Sequence, residues 1–348
     1  MHTANGDSRE AQQRIHLVGI GSIGKLVAHS LRSSKNPPPV SLIFHRENLL
    51  KAWNGKVTIC RDGIETSATG FDVELNSQSH EAIHNLIVTS KAHLTASALL
   101  PIRHRILPTT SICLLQNGLG VVEEIKRKVF LDERTRPIFI QGIITHGVNV
   151  PFTIAQKDTF YAVHAAQGTV SLGLLKANHQ KPNHLIKVLE RTGALQAADI
   201  DPSELFKQQL EKLVVNAIIN PLTSLVDDCN VCICSSPMLR DTIQLVIAEI
   251  GSVIRALPEL SAKAHKQRFS DEHLFNLVMS VADKTRTNIS SMLADIRAGR
   301  QTEIEYINGY IINRAKTLGI SCPTNTAIMH TVLAKSIAAH QRRVANDR

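Results

Sequence analysis

Aromatic side chains are scarce: phenylalanine, tyrosine and tryptophan make up 4% of the 348 residues, with one tryptophan and three tyrosines. No basic stretch interleaves them, so the chain lacks the stacking platforms that hold single-stranded nucleic acids. Long apolar runs are also missing. None approaches the roughly 18 residues that cross a bilayer, and no membrane association is expected. Six cysteines are spread along the chain with neither a secretory leader nor the spacing of a disulfide framework, so reduced thiols are expected. Three of them fall in "CNVCIC" (Cys229, Cys232, Cys234), but there is no second Cys-x-x-Cys and no histidine at ligand spacing. Small buried residues are the better reading there, and no metal is expected. His80 and His84 in "SHEAIH" lack the zincin pattern and read as an exposed helix face.

What is present fits a globular enzyme: 43% hydrophobic and 20% charged residues, with a net charge of +9. An anionic cofactor and substrate explain that charge at least as well as nucleic acid does. The densest basic cluster, "HQRRVANDR", is terminal and expected to be solvated. The length exceeds what one core usually fills, so two domains are expected.

The first half alternates buried-strand patterns with helical ones. "IHLVGIG" (15–21) reads as a strand entering a glycine turn, followed by an amphipathic helix through "LVAHSLRSS". "VSLIFHR" (40–46), "LIVTS" (86–90), "SICLLQN" (111–117) and "PIFIQGIITHGV" (137–148) continue the series, which implies an α/β fold with a mainly parallel sheet and helices on both faces. "FTIAQK" and "TVSLGLL" look like a later antiparallel pair. From about Ser203, read as a helix cap, long 3.6-period segments dominate: 204–226, 237–256, 272–286, 302–318 and 324–340. The expected organisation is a disordered extension at 1–14, a nucleotide-binding domain at 15–202 and an all-helical domain at 203–348.

Three motifs carry chemistry. "GIGSIG" spans Gly19, Ile20, Gly21, Ser22, Ile23 and Gly24, the G-x-G-x-x-G spacing. Its glycines permit a tight turn, close approach to a pyrophosphate and close packing of helix on strand. Placed between strand and helix, it points to a dinucleotide. An acid at the end of the second strand would bind the ribose hydroxyls; this chain has His45-Arg46 instead. Arg46 can fork onto a 2′-phosphate, which favours NADP(H), the alternative being an ordinary surface arginine. "LLQNGLG" puts Asn117 at a strand end, where it either orients a ligand oxygen or belongs to an Asn-Gly turn.

"KLVVNAIINPLTSL" (212–225) is the sharper signal. Lys212, Asn216 and Asn220 recur every four residues and share one helix face, while the residues between them are apolar. A solvated outer stripe is the bland alternative. A helix this apolar is expected to be buried nearly all round, so its lysine and amides need partners, and a ligand-facing role is favoured. Downstream, Glu303 either complements a helix dipole or reaches the Lys212 face.

Taken together, "GIGSIG", "QNGLG", "KLVVNAIINPLTSL" and "NISSMLADIRAGRQTEIEYINGYI" resemble the ketopantoate reductase family, in order and over nearly the whole chain. The resemblance implies a Rossmann domain followed by a helical domain like those of 6-phosphogluconate dehydrogenases, with the active site in the cleft between them. It implies NADPH-dependent reduction of 2-dehydropantoate to (R)-pantoate on the route to pantothenate and coenzyme A. By the same resemblance, Gly19 to Gly24 hold the pyrophosphate, Arg46 the 2′-phosphate, and Lys91 lies near cofactor and substrate. Asn117 touches both, Lys212 is the proton donor, and Asn216, Asn220, Asn230 and Ser291 bind substrate. Glu303 is the active-site glutamate, contacting cofactor or substrate.

Compared with bacterial members, extra residues are expected before residue 80 and between 150 and 200, and "CNVCIC" is inserted around Asn230. The expected partner is a small 2-oxo acid, with no nucleic acid and no membrane; a homodimer is admitted. The expected compartment is the cytoplasm, the mitochondrion being the alternative. Rival readings are a reductase of another 2-oxo acid and a non-catalytic NADP-binding regulator.

Overall fold

The strand at Ile15–Val18 (β1) is buried at every position, and β2 (Val40–Phe44) likewise. Such strands are covered on both faces and read as continuous apolar runs, as parallel strands do. The computed structural model describes residues 10–76, 79–150, 158–175, 183–260 and 267–346. The chain divides into two units, residues 1–116 with 121–206, and residues 117–120 with 207–348.

The first unit is built on an eight-stranded sheet. Besides β1 and β2 it contains β5 (Phe71–Leu75), β6 (Ile83–Val88), β7 (Ile106–Leu114), β8 (Ile138–Ile144), β11 (Val170–Leu174) and β12 (Ala197–Asp199), in the order β12-β11-β8-β7-β6-β1-β2-β5. Every pairing is parallel except β8 with β11. The strand order reverses direction at β1, which pairs with β2 on one side and β6 on the other. Such switch points open a crevice at the carboxyl ends of the strands.

One face of this sheet packs Ile87, Cys113, Ile140 and Leu172 with Leu26, Val27 and Leu31 of α1 (Ser22–Arg32). Their strand neighbours Leu86, Ile112 and Leu114 point to the other face by the two-residue alternation and are buried there. Each such buried side chain contributes about 1.5–3 kcal/mol of transfer free energy.

A second, four-stranded sheet was not expected. It consists of β3 (Lys56–Arg61), β4 (Ile64–Thr69), β9 (Gly147–Asn149) and β10 (Tyr161–Ala166), in the order β4-β3-β10-β9. Its hairpin turns at Asp62 and Gly63, both with positive φ (51° and 78°), the two-residue turn that Asp-Gly favours. Lys25 of α1 donates from Nζ to the Tyr161 carbonyl of β10 at 3.2 Å.

Several sequence expectations are corrected. The run 137–148 is two strands in two sheets: β8 stays in the large sheet while β9 pairs with β10. His146, between them, turns inward, and its Nδ1 lies 3.0 Å from His164 Nε2. "TVSLGLL" forms β11 and pairs antiparallel with β8; "FTIAQK" lies outside the described residues. His80 and His84 do not share a helix face, because His84 is in β6 and His80 in the loop before it. Burial of Ile83 and Asn85 in the parallel pairing of β6 overrides the helical spacing. In the stretch expected as a disordered extension, residues 10–13 are helical, and the Gln12 carbonyl accepts from Asn85 Nδ2 at 2.8 Å.

The short helices α2 (Glu47–Lys51), α3 (Thr95–Leu99), α4 (Val121–Lys128) and α5 (His184–Arg191) complete the first unit. The long helix α6 (Pro202–Val226) passes from the first unit into the second. Its cap is Asp201 rather than Ser203: Asp201 Oδ1 accepts from the backbone N–H groups of Ser203 at 2.8 Å and Glu204 at 3.2 Å. The carboxylate stands just before a proline in the first helical position, the usual order. Among its described residues the second unit is helical, with α7 (Val231–Ser235), α8 (Pro237–Arg255), α9 (Asp271–Lys284), α10 (Ser291–Arg297), α11 (Ile304–Leu318) and α12 (Pro323–Asn346). Lys335 of α12 donates to the Ser224 and Leu225 carbonyls at 2.6 and 3.2 Å, satisfying the C-terminal end of α6. Among the described residues no helix is long and apolar enough to cross a membrane.

Candidate active site

The glycine turn follows β1 at the switch point. Gly19 has φ of +95°, and a Cβ there would stand 2.3 Å from the Ser90 nitrogen, two residues past the end of β6. A Cβ on Gly24 would stand 2.0 Å from the Gly19 carbonyl oxygen. Both glycines are therefore demanded by the fold. Gly21 differs: a Cβ there would meet nothing within 4 Å. It is also the cap position of α1, where no side chain caps the helix and no acid lies in the first turn. An uncapped helix start beside open space suits a phosphate group. The residues present therefore fit a dinucleotide.

Arg46 is exposed where β2 gives way to α2. Lys91 is half-buried two residues after Thr89, which donates from Oγ1 to the Gly19 carbonyl at 2.5 Å. Sequence reasoning missed Thr89. A small hydroxyl residue at the end of the strand paired with β1 was its available signal.

In the second unit, Lys212 Nζ donates to Asn117 Oδ1 at 3.0 Å, and Asn117 Nδ2 lies 3.5 Å from Glu303 Oε2. Burial pushes the Lys212 ammonium down to about 8, and the Glu303 carboxylate opposes that shift. Glu303 is itself buried, at the start of α11. The loop bearing Asn117 docks on α11: Leu119 donates its N–H to the Tyr306 carbonyl at 2.9 Å. At Gly118, with φ of +86°, a Cβ would stand 2.6 Å from Tyr306. The Asn-Gly pair thus serves both alternatives, a tight backbone approach and a side chain presented to Lys212.

Asn216 is half-buried and Asn220 is 7% exposed, one and two turns after Lys212. Among the described residues neither makes a side-chain hydrogen bond. Their amides are available to a small polar ligand.

Asn230 is buried, donates from Nδ2 to Thr285 Oγ1 at 2.8 Å, and joins its N–H to the Asn288 carbonyl at 3.0 Å. Ser291 is exposed at the first position of α10. Its neighbour Ser290 is buried, caps α10, and accepts from Thr223 Oγ1 of α6 at 2.8 Å. The "CNVCIC" stretch forms α7, and among the described residues no three His, Cys, Asp or Glu side chains are grouped to hold a metal. An ammonium pushed down to about 8, an amide in contact with it and a neighbouring carboxylate together suit proton delivery to a developing alkoxide.

Comparison with known proteins gives the same direction. Residues 15–177 match the sequence family described as Ketopantoate reductase PanE/ApbA, and residues 204–336 match its C-terminal region. A probable 2-dehydropantoate 2-reductase of Schizosaccharomyces pombe is 29% identical over 342 residues, covering 92% of this chain and 95% of the relative. The 2-dehydropantoate 2-reductase of Shigella flexneri is 30% identical, covering 78% and 82%. A ketoisovalerate reductase of Beauveria bassiana is 25% identical, covering 89% and 80%. Among solved structures, a D-mandelate dehydrogenase with NADH shares the fold with a TM-score of 0.75 at 20% identity, covering 94% of this chain and 99% of that one. A dimeric ketopantoate reductase from Staphylococcus aureus does so with a TM-score of 0.70 at 18% identity, with the same coverage.

Proposed function

This chain belongs to the ketopantoate reductase family, and on that premise we propose that it catalyses the NADPH-dependent reduction of 2-dehydropantoate to (R)-pantoate. The observation that carries the reading is the contact of Lys212 Nζ with Asn117 Oδ1 beside Glu303. When bound, NADPH supplies a hydride to the ketone carbon. The proton that completes the alcohol comes from the Lys212 ammonium, which stabilises negative charge appearing on oxygen only in the transition state. Lys212 is left neutral and is recharged from solvent.

Asn216 and Asn220 grip the substrate's carboxylate and hydroxyl, and fixed amides add a proximity contribution. Asn230 and Ser291 are assigned to the same substrate. The Gly19–Gly24 turn takes the pyrophosphate on the uncapped start of α1, with Arg46 on the 2′-phosphate and Lys91 beside the cofactor. Supporting this division, Gly21 alone of the three glycines in the turn has open space where a side chain would be. Asn117 and Glu303 hold the acid and contact the reactants. The domain limits belonging to this reading are 15–202 and 203–348.

The reading extends to a cytoplasmic homodimer that binds no nucleic acid. The low aromatic content supports the absence of nucleic acid, the six free cysteines the compartment, and the likeness to the dimeric Staphylococcus aureus enzyme the pairing; light scattering on the purified protein reports the assembly.

A second reading, reduction of 2-oxoisovalerate, is favoured by the similarity to the Beauveria bassiana enzyme. The two substrates differ by a hydroxymethyl group, and a site built to bond its hydroxyl strongly rejects the analogue that lacks it. The test is NADPH consumption with a panel of 2-oxo acids containing both. Preference for 2-dehydropantoate supports the first reading, preference for 2-oxoisovalerate the second, and turnover of neither removes both.

A further inference from the structure

Helix α6 carries a proline in its interior, Pro221. Proline has no N–H, so the carbonyl four residues earlier, that of Ala217, loses its helical donor, and the ring crowds that carbonyl. A buried carbonyl without a donor costs about 1–3 kcal/mol. Here the donor comes from outside the helix. Asn308 Nδ2, on α11, reaches the Ala217 carbonyl at 2.9 Å and also donates to Asn325 Oδ1 at 3.2 Å. Two acceptors on one amide nitrogen fix which way the Asn308 side chain faces.

The partner of Asn308 is itself held. Asn325 donates from Nδ2 to Glu249 Oε2 at 2.9 Å, and the backbone N–H groups of Thr324 and Asn325 reach Glu249 at 2.8 and 2.9 Å. Both asparagines are completely buried. Asn308 also accepts a cost, since its Oδ1 has no hydrogen-bond partner among the described residues. A Leu of similar size would avoid that cost but could not reach Ala217.

Location gives this linkage its meaning. Ala217 lies between Asn216 and Asn220, and Asn308 lies five residues after Glu303, on the helix that Glu303 begins. The bond thus ties the helix bearing Lys212, Asn216 and Asn220 to the helix bearing Glu303, at the turn where α6 cannot bond to itself. We propose that Asn308 is a positioning residue of the reductase site, using the carbonyl freed by Pro221 to set α6 in axial register with α11. The proposal rests on the reductase reading given above. Asn308 touches none of the groups assigned to substrate, and acts through the helix it holds.

The test separates this role from simple satisfaction of a buried carbonyl. Asn308→Leu removes the link. Pro221→Ala in the same chain returns a backbone N–H to Ala217 without restoring the link between helices. The Asn308→Leu variant should lose roughly 10- to 100-fold in kcat on the best 2-oxo acid, as small misplacements of reacting groups do. Its KM for NADPH should stay near the wild-type value. The Pro221→Ala/Asn308→Leu double variant should regain most of the lost Tm while kcat stays low. Recovery of kcat together with Tm would overturn the proposal, as would a folded Asn308→Leu variant with wild-type kcat. If Asn308→Leu does not fold, the double variant alone decides by the same criteria. Failure of the reductase reading shows separately, as absence of turnover in the wild type. In that event, NMR of isotopically labelled lysine side chains reads Lys212 titration without turnover: a shift between wild type and double variant supports positioning, and superimposable curves refute it.

Discussion

Lys212 and Asn117 are 95 residues apart in sequence, and the ammonium of one donates to the amide oxygen of the other across 3.0 Å. Asn117 also faces Glu303, so an ammonium, an amide and a carboxylate form a row in which the middle member touches both ends. The amide accepts from the ammonium without neutralising it, and the carboxylate keeps the charged form populated against the pull of burial.

Replacing Lys212 by Met should lower kcat by about 10²- to 10⁴-fold, the range for a lost general acid. The same change removes a charge that its surroundings disfavour but also takes the counter-charge from the buried Glu303, so Tm at neutral pH should change little. Steady-state kinetics alongside calorimetry checks both, and a variant with near-normal kcat would sink the assignment of the acid.

The pH dependence follows from the depressed value of about 8 for Lys212. Reduction needs the protonated form, so kcat/KM should be flat below about 8 and fall by about tenfold per pH unit above it. Stability runs the other way. Between 8 and the ordinary 10.5 the unfolded chain holds a proton that the folded chain has released, so this lysine's contribution to stability rises with pH there. Lys212→Met should remove that rise, as urea titrations across the window would reveal.

The two glycines Gly21 and Gly24 should respond oppositely to alanine. Gly24→Ala drives a methyl into the Gly19 carbonyl and should destabilise the fold by about 1–3 kcal/mol. Gly21→Ala places its methyl in open space, so Tm should hold while NADPH binding weakens by roughly tenfold or more. Thermal melts with and without NADPH distinguish these outcomes, and equal loss of stability in both variants would contradict the cradle.

Arg46→Ala should weaken NADPH binding by about 1.5–3 kcal/mol and change NADH binding little. Fluorescence titration with both cofactors is the measurement. Equal losses for the two would remove Arg46 from the 2′-phosphate.

Acid should destabilise the first unit through buried histidines. Burial, with Arg105 and Arg14 nearby, pushes His16 down to about 3; burial, Arg61 and His146 push His164 down to about 4. The unfolded chain protonates both near the ordinary 6.5, so the stability is present above that pH and is lost as pH falls toward the folded values. For His16 the slope is at most about 1.4 kcal/mol per pH unit. His16→Leu should flatten the decline of Tm between about pH 7 and 5, and an unchanged decline would count against this account.

The inner strands β1, β2, β6, β7 and β8 were legible because burial makes them near-continuous apolar runs, whereas the outermost strands β5 and β12, largely half-buried or exposed, were not; α6 was legible because polar residues every four positions interrupt an apolar helix. The second sheet was not, although Asp62-Gly63 carries the hairpin signal. Strand β4 is exposed at all but one position and β9 has only three residues, none of them buried, so neither periodicity nor apolarity marks them. In the site, spacing placed Lys212, Asn216 and Asn220 on one face and singled out Asn117 at a strand end, but could not show that Asn117 meets Lys212, because contacts between distant segments leave no local pattern. Asn308 was illegible for a related reason. A proline in a helix announces a vacant carbonyl, while the residue that fills it is chosen by tertiary packing.

The loop at 117–120 belongs to the helical unit although the chain on either side of it belongs to the other. Connectivity therefore crosses between the units three times, at 116/117, at 120/121 and at 206/207. A fragment starting at Lys207 would contain Lys212 and Glu303 but would lack two groups: the Asn117 amide that Lys212 donates to, and the Leu119 N–H that the Tyr306 carbonyl accepts. The Lys212 ammonium therefore sits in a composite helical body that no single scission can release intact.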